Sequence, residues 1–129
     1  MNAEWNVVYV PEERFVHTVV TGETRPEDVR ELLREQARVG REHGCRLFLI
    51  DLGGAAPAAT YYELFRLPDI CEEVGVSKSG RHALVAPTHT RLYRLVESVL
   101  RNRGCPIRVF EEYEDAERWL LADGPPGLP

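Results

Sequence analysis

The segment Leu47 to Leu52 is apolar at nearly every position and gives way to Asp51 and the pair Gly53-Gly54. A strand apolar on both faces is buried on both faces, as central strands of a helix-covered sheet are. The central strand is expected over Arg46 to Leu52, followed by a loop over Gly53 to Ala59 and a helix from Thr60. Upstream, Trp5 to Val10 and Phe15 to Thr21 flank the turn residues Pro11 to Arg14, which reads as an antiparallel hairpin. Thr24 is the expected cap of the first helix, with Pro26 in its first turn and Gly44 as its left-handed end. Downstream, Pro68 predicts a kink or two short pieces between Thr60 and Val74. Arg81 to Ala86 reads as a strand, closed by Pro87. Thr88 or Thr90 opens an amphipathic helix in which Leu92, Leu95, Val96, Val99 and Leu100 recur at helical spacing. Cys105 to Phe110 is the last strand, and Glu112 to Leu121 the last helix.

The predicted order is β-β-α-β-α-β-α-β-α. Strands separated by helices imply parallel crossovers. The fold class is therefore α/β: a mostly parallel five-stranded sheet with one antiparallel edge strand and helices covering it. A chain of 129 residues fits one domain, expected over 1–122, with 123–129 as a disordered tail.

Charge and cysteine usage narrow the function classes. The net charge of −5 disfavours nucleic acid as a partner, because phosphate binding needs a basic surface. Three scattered cysteines without a CxxC fit a reduced, cytoplasmic setting. No segment approaches the ~18–20 apolar residues of a membrane span. The basic stripe Arg30, Arg34, Arg38 and Arg41 alternates with acids and reads as a self-paired, solvated face. His43 and Cys45 are too isolated for a zinc site, and neither a metal nor a cofactor is expected.

Ligands of open parallel sheets meet the carboxyl ends of the strands. The candidate binding residues there are Asp51, Gly53, Gly54, Thr60, Tyr61, Tyr62, Thr88, His89 and Arg91. Asp51 is either a ligand or base, or the acceptor that fixes its own turn. The small-residue run Gly53 to Ala59 lacks the lysine of a P-loop and the GxGxxG of a dinucleotide site. Thr60 reads as a helix cap and also as a phosphorylation candidate. Thr88-His89-Thr90-Arg91 offers an anion both helix amides and a counter-charge. No nucleophile–base pair is evident, so no catalytic residue is assigned; a small enzyme using Asp51 and His89 is the remote alternative.

Three segments carry a resemblance: Leu49-Ile50-Asp51-Leu52, then Asn102 to Phe110 with its helix-ending Gly104, then Glu114-Asp115-Ala116-Glu117-Arg118-Trp119-Leu120. In this order they resemble the SpoIIAA-like superfamily, which includes STAS domains (anti-sigma-factor antagonists) and the STAS/SEC14-like proteins. The resemblance implies a SpoIIAA-like fold and a non-catalytic binding or regulatory module. Its expected ligand is a protein partner or a small apolar or anionic molecule at the carboxyl edge of the sheet. Thr60 falls where the antagonists carry a phosphorylated serine, but Ala59 and Tyr61-Tyr62 replace that motif's flanking residues. The STAS/SEC14-like branch, similar to the ligand-binding lobe of lipid carriers, is then the nearer relative, with the phospho-switch at Thr60 as the alternative. A homodimer is the default assembly for a domain of this size.

Overall fold

A computed structural model describes residues 2–58 and 61–122; of Tyr61 and Tyr62 it describes the backbone. Five strands, β1 (Glu4–Val10), β2 (Phe15–Thr24), β3 (Leu47–Pro57), β4 (Arg81–Val85) and β5 (Ile107–Phe110), form one sheet in the order β1-β2-β3-β4-β5. The β1–β2 hairpin is antiparallel and every other pairing is parallel. The Leu47–Leu52 segment thus lies in the middle strand, running with the two strands that follow it.

The helices are α1 (Pro26–His43), α2 (Tyr61–Leu64), α3 (Leu67–Val74), α4 (Thr90–Arg101) and α5 (Tyr113–Leu120). Alternation along β3 sorts them onto two faces. Ile50 and Leu52 pack with Leu32, Cys71, Val96 and Leu100, so α1, α3 and α4 cover one face. Leu49 packs with Phe15, Ala83, Val85, Ala116 and Leu120, so α5 covers the other. Arg81 fastens α5 to β4: its guanidinium, itself buried, donates to the Leu120 carbonyl at 3.2 Å and to that of Ala122. Gly40 brings α1 close to the sheet; a Cβ there would stand 2.6 Å from the Phe48 ring.

Several local expectations change. Gly53 to Pro57 does not form a loop. It extends β3, with Gly54 to Pro57 paired against Thr21 to Thr24. A β-bulge precedes the extension: Val19 pairs with Asp51 but Thr21 with Gly54, which leaves Leu52 and Gly53 opposite Val20. Because Thr24 is held in that ladder, the helix cap moves on to Arg25, whose amide donates to the Asp28 carboxylate at 2.9 Å. His89, not a threonine, caps α4, at φ 55°; the Thr90 hydroxyl donates back to the Ala86 carbonyl at 2.9 Å. The break ahead of Pro68 is present, dividing α2 from α3, and Gly44 ends α1 at φ 61°.

Candidate functional site

Where α1, α3 and α4 cross the sheet they leave space. A cavity of about 140 Å³ lies between them, floored by Ile50, Leu84 and Ile107 and roofed by Leu32, Ile70, Val96 and Leu100. Each of these side chains is inward by helix or strand periodicity, yet together they do not fill the volume. Protein interiors hold few voids larger than a water molecule. Half-buried Pro26, Pro57, Glu63, Leu67 and Leu92 line it towards the carboxyl end of the sheet, and half-buried Val76 lines it towards the amino end.

Few polar groups reach the wall, and most are engaged. The Thr24 hydroxyl donates to the Gly22 carbonyl at 3.4 Å. His82 is buried, stacked on Phe48 with centroids 4.9 Å apart, and its Nε2 lies 2.7 Å from the Ser77 carbonyl. Burial holds its pKa below the usual value, so the ring is neutral and Nε2–H is the donor. Burial also pushes the Cys71 thiol up to about 12 and the Cys105 thiol to about 11. Thiols held protonated are poor nucleophiles. Tyr93 differs: it is 8% exposed, burial raises its hydroxyl to about 12, and it makes no side-chain hydrogen bond with the described residues.

None of the described residues singled out in the sequence is in the wall of this cavity. Asp51 points to the α5 face, and its Oδ1 accepts the Gly53 amide at 2.9 Å. The carboxylate thus satisfies an amide at the bulge. Gly53 and Gly54 are exposed strand residues, and a Cβ on Gly53 would lie 3.7 Å from Pro87, so the exits of β3 and β4 adjoin. Thr88, His89 and Arg91 are exposed at the start of α4. His89 therefore belongs to the face opposite the one Asp51 points to, and no contact joins the two. Thr60 lies outside the described residues, as do the side chains of Tyr61 and Tyr62 and the expected tail 123–129. Among the described residues no three His, Cys, Asp or Glu side chains group as metal ligands, and no helix is long and apolar enough to cross a membrane.

No protein-family model matches this chain, and no curated protein does. Solved structures do match. A protein of the DUF3478 family from Shewanella loihica PV-4, described as having a SpoIIAA-like fold, matches at 14% identity and TM-score 0.55, over 92% of this chain and 93% of its own. The fold is SpoIIAA-like. An anti-sigma factor antagonist from Mycobacterium paratuberculosis matches at 13% identity and TM-score 0.57, over 92% of this chain and 96% of that one. The architecture implied by the three sequence segments is thus present over most of the chain. At such identities the likeness reaches the SpoIIAA-like fold and stops there; what the site does has to be argued from its own geometry.

Proposed function

We propose that this domain is a non-catalytic binding module that holds a small apolar ligand in the cavity beneath α1, α3 and α4. The observation that carries the reading is the 140 Å³ void with its hydrocarbon wall. Apolar cavities of this size stay dry and accept benzene-sized guests. An apolar guest there gains dispersion contacts with the wall. The non-catalytic reading is supported by the wall's thiols, which are protonated, and by its imidazole, which is tied to a carbonyl. Native mass spectrometry of mildly purified protein tests the reading. The expected result is a bound species that leaves on denaturation, or, for protein purified empty, a rise in melting temperature with toluene. Empty protein whose melting temperature toluene leaves unmoved contradicts it.

A second reading is favoured by the likeness to an anti-sigma factor antagonist. Here the carboxyl edge around Asp51, Gly53, Gly54, Thr60, Tyr61, Tyr62, Thr88, His89 and Arg91 meets a protein partner, and phosphorylation of Thr60 controls the encounter. Phosphate on Thr60 in protein isolated from its source, and a partner captured by the Thr60→Ala protein but not by Thr60→Glu, would support it. Identical capture by both variants would remove it.

A further inference from the structure

The two faces of the sheet are covered unequally. Against α1, α3 and α4 on one face stands α5 alone on the other, packed on β3, β4 and β5. α5 meets β2 at Phe15, within its core, and at His17, whose ring stands 5.8 Å from that of Tyr113. Beyond that flank the same face of β1 and β2 is open. Val7, Val16 and Val20 face the α1 side, so alternation turns Val8 and Val19 to the α5 side. There they are 42% and 40% exposed, on paired strands. Strands lie about 4.8 Å apart, so the open strip is about 10 Å wide, which is the width of one helix.

Carboxylates frame this strip. Asp51 is the register partner of Val19. Exposed Glu4 lies on the same side of β1 as Val8. Glu13, in the hairpin turn, accepts the Tyr113 hydroxyl at 2.8 Å. Glu117 follows Tyr113 by four residues and shares its flank of α5. Their closeness registers on Tyr113: burial raises the pKa of its hydroxyl, and the bond to Glu13 and the charges of Glu13, Glu117 and Asp51 raise it further. Among the described residues no arginine or lysine pairs with any of these four carboxylates. On α1, by contrast, Glu31, Glu35 and Glu42 each have an arginine. A second copy laid on this face would set its own four carboxylates against these, which like-charge repulsion opposes.

We propose that the open face of β1 and β2 docks a basic amphipathic helix of a protein partner, its apolar side on Val8 and Val19 and its lysines or arginines among Glu4, Glu13, Asp51 and Glu117. The docked helix lies beside α5 and completes the layer that α5 begins. Apolar anchors at helical spacing supply the contact, and the flanking charges select a basic partner and steer its approach. The surface is on the other side of the sheet from the cavity, so this proposal stands or falls apart from the ligand reading.

Synthetic peptides of about 18 residues, long enough to form a helix, test this on the full chain. One carries leucines at helical spacing with lysines flanking them; a second scrambles that order; a third replaces its lysines with glutamates. Fluorescence anisotropy at low salt reads affinity, and methyl-resolved NMR reads the place of binding. The patterned basic peptide should bind about 10-fold more tightly than either control, with shifts on the methyl groups of Val8 and Val19. Val8→Ser/Val19→Ser should weaken it about 10-fold, and Glu4→Gln/Glu117→Gln about 5-fold. Unchanged core methyl spectra show that each variant is folded. Equal binding of the scrambled peptide, shifts confined to other surfaces, or no binding overturns the proposal. So does a full chain that light scattering shows to be a dimer and Val8→Ser/Val19→Ser turns into a monomer, since a second copy then holds the face.

Discussion

Gln36 Nε2 donates a 2.8 Å hydrogen bond to Thr18 Oγ1, with the two residues 4% and 0% exposed. The pair ties α1 to β2 on the face that holds the cavity. It is a polar bond set in an apolar interface, satisfied on both sides. Gln36→Leu keeps the bulk but leaves the Thr18 hydroxyl unpaired, which costs about 1–3 kcal/mol. Urea unfolding should show that loss, and the double change Gln36→Leu/Thr18→Val should recover most of it. A double variant as unstable as the sum of the single ones would mean that the bond contributes little.

Filling the cavity should be tolerated. Val96→Phe adds volume where a close-packed core would be overpacked at a cost of about 1–3 kcal/mol. Here the added ring enters the 140 Å³ void. The expected outcome is a melting temperature unchanged or raised, together with loss of toluene binding. A drop of the overpacking size would show that the space is closed in solution.

Stability should form a plateau between about pH 7 and 9. On the acid side, the His82 pKa is lowered from 6.5 by burial, so its contribution is complete above that value and is lost as pH falls. On the alkaline side, Cys71 and Cys105 rise from 9.0 to about 12 and about 11, and Tyr93 from 10.0 to about 12, through burial. Their contributions are complete below the unfolded values and are lost as pH climbs towards the folded ones. Tyr113 adds to the same limb, raised by burial and by its 2.8 Å hydrogen bond to Glu13. Urea midpoints against pH check this, and Tyr93→Phe should flatten the profile above about pH 10 while leaving the acid limb in place.

The three cysteines should separate in reactivity. Cys45 is half-buried, while Cys71 and Cys105 are buried in the cavity wall with raised thiol pKa values. A thiol-disulfide reagent at pH 8 should modify one cysteine quickly and two only on unfolding, and Cys45→Ser should remove the fast phase. Toluene in the cavity should slow the two further.

Much of this fold could be read from the chain, because its elements are strongly periodic and their ends are marked by Pro and Gly. The burial of Leu47 to Leu52, the edge position of the hairpin and the split before Pro68 all follow from local pattern. Where the reading departs from the structure, tertiary pairing has overridden local preference. Gly53-Gly54 carries every mark of a loop, yet Thr21 to Thr24 lies alongside and draws it into the sheet. That same pairing takes Thr24 away from the helix it was expected to cap. The polar loops at the strand ends were legible as candidate sites because polar residues announce themselves. The cavity was not, since a void is the volume that side chains on eight elements fail to fill. The helical pattern through Leu92, Leu95, Val96, Val99 and Leu100 passed over Tyr93, although it stands three residues before Val96, and nothing in the sequence marked its hydroxyl as unpartnered.

The central claim is that the space beneath α1, α3 and α4 receives a ligand. Methyl-resolved NMR of the full chain titrated with toluene addresses it most directly. The account predicts saturable shifts concentrated on the methyl groups of Leu32, Ile50, Leu84, Val96, Leu100 and Ile107, absent in Val96→Phe protein. Shifts that do not saturate, or that fall on exposed Val8 and Val19 at the far side of the sheet instead, would contradict it.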